Sequence, residues 1–245
     1  MIILPKNCPV CASPYMTWVK TLSIKVGGSV ELFYCMECES FSSPFSKPIA
    51  NAPTQLNWHK SVLERNIGWS ISLLDILAAK SCSGTLVDIG CGIGSLLLAA
   101  KSKGWRGSGV GYDLDVDACS YGRSAFSLDL RSEVWRAETS PEFGLITCIS
   151  VLEHIHQPRF LINEMIIAAR QRSAKVYLSV PFFNRIWWRM ILEDSSTPGH
   201  PFEYPHAHVT HFSYKGMETI CDQLNVKSAE RVQIDSAWIG YLINP

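Results

Sequence analysis

The sequence predicts an α/β fold: a doubly wound, mostly parallel sheet preceded by a small cysteine-framed β hairpin. Three observations predict it. From Thr85 onward, short apolar runs alternate with amphipathic stretches. A glycine-rich corner, LVDIGCGIGSLLL over 86–98, joins the first apolar run to the first of those stretches. Ahead of both stand two C-x-x-C pairs, CPVC and CMEC. The 245 residues are 47% hydrophobic and 18% charged, which suits one or two globular domains with a sizeable core. With 22 basic and 22 acidic residues, the chain has no electrostatic footprint for nucleic acid or an anionic membrane. No apolar run approaches the roughly 20 residues of a membrane span. The start, MIILPKNCPVC, lacks the h-region and cleavage site of a signal peptide, so a soluble cytoplasmic protein is expected.

Of nine cysteines, Cys8, Cys11, Cys35 and Cys38 form the two pairs. In a reducing compartment, two such pairs read as four thiolates around one tetrahedral zinc rather than as disulfides. Between them LSIKVGGSVELFY alternates apolar and polar residues on either side of Gly27-Gly28, the pattern of two strands and a tight turn. Knuckle, strand, turn, strand and knuckle make a zinc ribbon, a structural Zn2+ site in a segment too short to bury a core alone. The Ser- and Pro-rich stretch ESFSSPFSKPIANAPTQLN then reads as a linker or an extended crossing segment. The expected organisation is a ribbon module over 1–45, a linker over 46–57 and one domain over 58–245.

The domain begins with a helical pattern in which Val62, Leu63, Ile67, Ile71, Leu74 and Leu77 recur at three- and four-residue steps, with Gly68 a place where it would split. TLVDI is a strand, and SLLLAAKSK a helix closed by Gly104. SGVGYD is a second strand ending in Asp113; a short helix capped by Asp115 follows. EVW is read as a third strand, LITCIS as a fourth and KVYLSV as a fifth, closed by Pro181. Between the last two, PRFLINEMIIAARQR is a helix with Pro158 in its first turn and basic residues in its last. A ligand belongs at the carboxyl ends of these strands, where Gly90, Asp113 and Ser150 lie.

A dinucleotide loop wants G-x-G-x-x-G, but Ser95 stands where the third glycine belongs. The run is instead D-x-G-x-G-x-G, from Asp88 through Gly90 and Gly92 to Gly94. With Asp113 about 20 residues on and the later ITCISVLEHIHQP, it resembles the class I S-adenosylmethionine-dependent methyltransferases, particularly small-molecule and glycan members. HVTHFSYKGMETICDQLNV is similar to a late segment of such members, and a four-cysteine module also precedes the domain in relatives. The resemblance implies a Rossmann-like, seven-stranded sheet. It implies that Gly90, Cys91, Gly92 and Gly94 wrap the methionine end of the cofactor, with Asp88 near its ammonium. Asp113, with Leu114 beside it, would accept hydrogen bonds from the ribose hydroxyls, and Ser150 and Val151 would line the cofactor. Relatives usually carry Phe-Asp before the fourth strand, where this chain has Phe143-Gly144, and RAETSPEF is short. Glu138 is the candidate for the adenine amine.

The acceptor side is sought in His154 and in the aromatic stretch after Pro181, which carries His200, His206, His208 and His211. Methyl transfer to a hydroxyl needs alignment and a base. His154, His208 and His211 are the candidate bases, His211 less favoured because it adjoins Phe212, with Glu153 to orient an imidazole or the acceptor. RIWWRMILE reads as an amphipathic lid or a homodimer contact. Two function classes stay open: a methyltransferase acting on a small-molecule or sugar-containing acceptor, most simply at oxygen, and an RNA-directed zinc-ribbon methyltransferase or an RNA-binding protein on a vestigial methyltransferase fold. Zero net charge favours the first.

Overall fold

The computed structural model describes residues 5–23, 29–43, 56–181, 208–232, 234 and 238–245. The Gly27-Gly28 turn, most of the expected linker, His200, His206 and RIWWRMILE lie outside them.

The N-terminal part opens with β1 (Met16–Ser23) and β2 (Ser29–Cys35), paired antiparallel as the alternation predicts. A further pair of residues, β3 (Phe41–Ser42), adds to β2. Phe41, Ser42 and Ser43 are buried, so the start of the Ser/Pro stretch crosses the module as a core strand.

Two helices follow, α1 (Leu56–Ser61) and α2 (Leu63–Ala79). They break at Val62, not at Gly68, which sits inside α2 with open space around it. Then come β4 (Leu86–Ile89), α3 (Ser95–Ser102), β5 (Gly109–Tyr112), α4 (Val116–Phe126) and β6 (Asp129–Arg131). The third parallel strand is therefore Asp-Leu-Arg, not the expected Glu133–Trp135. Arg123 holds it by donating to the Leu130 carbonyl at 2.7 Å. After β7 (Leu145–Ile149), a single 3₁₀ turn over Leu152–His154 leads to α5 (Pro158–Arg172) and β8 (Lys175–Pro181). The chain closes with β9 (Thr210–His211), α6 (Tyr214–Gln223), β10 (Ser228–Arg231) and β11 (Trp238–Asn244).

The main sheet has seven strands in the order β10-β11-β8-β7-β4-β5-β6. The run from β8 to β6 is parallel, and β10 and β11 are antiparallel. The period-2 pleat sends alternate residues to opposite faces. On β8, Val176, Leu178 and Val180 join one core with Ile162, Met165 and Ile166 of α5 and Met217 and Ile220 of α6. Tyr177 points to the other core, with Leu73, Leu74 and Leu77 of α2 and Leu96 and Leu97 of α3. Each such fully buried side chain contributes roughly 1.5–3 kcal/mol. No helix of the described residues is long and apolar enough to cross a membrane.

A second sheet, β1-β2-β3-β9, ties the N-terminal part to the C-terminal part. Phe41 pairs with His211 and Ser42 with Thr210. The first core runs without interruption from the four cysteines, Val10 and Phe33 into the main sheet.

Candidate functional site

The corner after β4 is built by glycine. Gly90, Gly92 and Gly94 all have positive φ, at 74°, 53° and 85°. A Cβ on Gly90 would fall 2.0 Å from Val151 Cγ2, and one on Gly92 would fall 2.6 Å from the His59 ring. Only glycine lets the chain turn here and lets neighbours approach the backbone this closely. Gly94, in the left-handed conformation, caps α3. Cys91 is buried in the core under the corner, so it offers backbone rather than its thiol.

Asp113 ends β5 beside this corner. Its Oδ2 accepts from the Gly92 amide at 2.7 Å and its Oδ1 from the Asp115 amide at 2.8 Å. The carboxylate is thus held against the loop. Asp115 caps α4 as expected, accepting from the Ala118 amide at 2.9 Å. Leu114 and Val116 are 70% and 60% exposed, and Val134 beyond β6 is 59% exposed. All three follow the carboxyl ends of adjacent strands, Leu114 and Val116 after β5 and Val134 after β6. Glu138 lies exposed in the turn that follows.

Asp88 is placed otherwise. It is buried within β4 beside Thr147 of β7, whose hydroxyl donates to it at 2.7 Å. Burial pushes its carboxyl up to about 7, with the Thr147 hydrogen bond opposing and the nearby Asp113 charge adding to the rise. Ser150, with φ 58°, turns the chain out of β7, and Val151 then packs over Gly90. One residue was missed from sequence: His59 on α1, whose ring lies over Gly92. Burial lowers its pKa while Asp113 and Asp115 pull the other way. A lone histidine in an amphipathic helix carries no signal of that placement.

The candidate acceptor residues converge from two segments 54 positions apart. The 3₁₀ turn places Glu153 and His154; the approach to β9 places His208 and His211. The Val209 amide donates to the Glu153 carbonyl at 2.8 Å and locks the two segments together. The His154 and His208 rings are 4.8 Å apart, and those of His208 and His211 6.3 Å. His154 Nε2 is 3.9 Å from Glu153 Oε1. Glu153 is 2% exposed, and burial lifts its carboxyl to about 8.

The four paired cysteines also come together. Their sulfurs all lie within 4.8 Å of one another, with Cys8–Cys38 at 3.7 Å and Cys11–Cys35 at 3.5 Å. The two knuckles share one geometry. In each, the residue after the second cysteine is left-handed, Ala12 at φ 62° and Glu39 at 61°. In each, its amide bonds back to the carbonyl of the first cysteine at 2.9 Å. Two matched turns aiming four sulfurs at one point are compatible with a zinc-ribbon module.

Residues 65–227, about two thirds of the chain, match the profile of a family described as "Methyltransferase domain". No curated protein matches the chain by sequence. Among solved structures, the magnesium protoporphyrin IX methyltransferase of Synechocystis PCC 6803, with bound S-adenosylhomocysteine, is similar at 13% identity and a TM-score of 0.55, over 80% of this chain and 91% of that one. Human N-acetylserotonin methyltransferase in complex with S-adenosylmethionine is similar at 13% identity and a TM-score of 0.55, over 78% of this chain and 55% of that one. Likeness at this identity is likeness of fold.

Proposed function

The chain belongs to the S-adenosylmethionine-dependent methyltransferases of the methyltransferase-domain family, and from that premise we propose that it methylates a hydroxyl oxygen of a small-molecule or sugar-containing acceptor. The observation that carries the reading is the juxtaposition just described. A glycine corner with a fixed acid lies at the ends of β4 and β5, and a carboxylate–histidine cluster lies directly beyond β7.

Bound at the corner, S-adenosylmethionine supplies a methyl group already activated on a sulfonium. The chain's own residues then have three tasks. Gly90, Cys91, Gly92 and Gly94 offer backbone to the methionine end, with Asp88 near its ammonium. Asp113 turns its carboxylate to the ribose hydroxyls, while Leu114, Ser150 and Val151 line the walls and Glu138 reaches for the adenine amine. His154, His208 and His211 offer imidazoles to take the acceptor's proton as the new bond forms, and Glu153 orients them. Cys8, Cys11, Cys35 and Cys38 hold a structural zinc that sets the ribbon.

Ligand-dependent melting tests the reading. S-adenosylmethionine and its demethylated product should raise the melting temperature and NAD should not; a ligand at 100 times its Kd adds about 2.7 kcal/mol. Asp113→Ala should weaken the shift. Stabilisation by NAD alone would overturn the assignment.

A further inference from the structure

Glu153 is a costly residue. Both of its carboxylate oxygens are buried and have no hydrogen-bond partner among the described residues. A buried, unsolvated carboxyl is tolerated when something compensates it: a paired charge, a hydrogen-bond network or a metal. Two imidazoles stand beside it. One ligand atom each from Glu153, His154 and His208 lies within 4.8 Å of the others. The three come from two segments that the Val209–Glu153 backbone bond fixes in register.

We propose that Glu153, His154 and His208 hold a divalent first-row transition cation. Two imidazole nitrogens and one carboxylate form a donor set suited to such ions, and one that leaves coordination positions open. Nitrogen bonds zinc at about 2.0–2.1 Å and carboxylate oxygen at about 2.0–2.2 Å. The three donor atoms must therefore draw inward by rotation of their side chains, of which that of His154 is 43% exposed. A cation held there would offset the charge of the buried carboxylate. An ion held there would have coordination positions left for oxygens of the acceptor. That last role rests on the acceptor-side reading above; the ion binding does not. With the ion in place, His154 and His208 are ligands, and His211 is the imidazole left to accept a proton.

The experiment uses the full chain and the metal alone. Mn2+ separates the two candidate centres, because soft thiolates select against it and a carboxylate–imidazole set accepts it. Titration of the purified protein with Mn2+, followed by electron paramagnetic resonance, should show one bound ion per chain. Zinc analysis should show a second equivalent beyond the cysteine site. Glu153→Gln and His208→Ala should each weaken Mn2+ binding at least 10-fold and remove the second zinc. Both variants are checked for folding by their melting temperature and by S-adenosylmethionine affinity, which should stay at the wild-type value. His154→Ala, at a half-exposed position, serves where Glu153→Gln fails to fold. Wild-type protein with only the cysteine-site zinc and no bound Mn2+ would overturn the proposal, and so would variants that bind Mn2+ as the wild type does. Mn2+ bound at this site in a protein that methylates no hydroxyl would uphold the ion site and overturn the acceptor reading.

Discussion

Two acids at the glycine corner, Asp88 and Asp113, are one residue type in different surroundings. Asp113 is anchored by two backbone amides and stays available as an acceptor. Asp88 is buried, has one hydroxyl donor, and is pushed up to about 7. The rise means that the folded chain without ligand holds a proton on Asp88 that the unfolded chain releases near 3.8. Stability from this group is therefore full at low pH and declines as pH climbs from about 3.8 to about 7. The slope is at most about 1.4 kcal/mol per pH unit. Cofactor affinity should run the other way. With the cofactor's ammonium near Asp88, as proposed, the ionised form is the one that binds, so affinity should rise with pH up to about 7 and then level, by up to roughly tenfold per unit. Calorimetric titration of wild type and Asp88→Asn between these limits checks this. The variant should lose the dependence that Asp88 contributes, while the cofactor's own titration is common to both.

At the scale of elements, the decisive connection is β3 to β9. It is two residues on each side, yet it hangs the approach to His208 and His211 on the strand that follows the second cysteine knuckle. The Ser43 amide donates to the Val209 carbonyl at 2.8 Å, the Ser213 amide to Ser40 Oγ at 3.3 Å, and the Ser213 hydroxyl to the Cys38 carbonyl. Loss of the zinc proposed at the knuckles should therefore be felt at the histidines. Cys35→Ser should remove the cysteine-site equivalent of bound zinc. Hydrogen exchange should then quicken at Val209, Thr210 and His211 and stay slow across Leu86–Ile89, whose partners are strands of the main sheet. Equal protection of both segments in the variant would refute the link. Composition and period gave no hint of this pairing, because two-residue strands have no alternation to read. The same limit hid β6, where Asp-Leu-Arg carries a single apolar residue. LITCI and KVYLSV were legible because they are apolar on both faces, and the corner was legible because three alternate glycines are costly anywhere else. Each cluster residue was a candidate from sequence. That Glu153 and His208 meet was not, since they stand 55 positions apart in the sequence.

At the scale of the whole molecule, the two faces of the sheet are closed differently. One is covered by α2, α3 and α4. The other is covered by α5 and α6 and also by the N-terminal module, whose Cys8, Val10, Cys11, Met16, Phe33, Cys35 and Cys38 belong to the same core as Ile146, Leu178 and Phe212. A core shared in this way cannot be divided without exposing apolar surface. Gln223 of α6 adds a polar tie, its amide donating to the Cys11 carbonyl at 3.0 Å. Removal of residues 1–43 should uncover Phe212 and Met217 and leave the β9 edge unpaired, a surface prone to aggregation. At roughly 25 cal/mol per Å2 of apolar surface, exposing even a few such side chains costs several kcal/mol, a large part of the 5–15 kcal/mol that holds a domain folded. The shortened chain should accordingly be insoluble or melt far below the full-length protein, and the intact chain should unfold in one transition by both tryptophan fluorescence and far-ultraviolet circular dichroism. Two separated transitions, with the truncated chain soluble and binding S-adenosylmethionine as the whole does, would instead make the ribbon an independent unit and confine the metal's influence to its own residues.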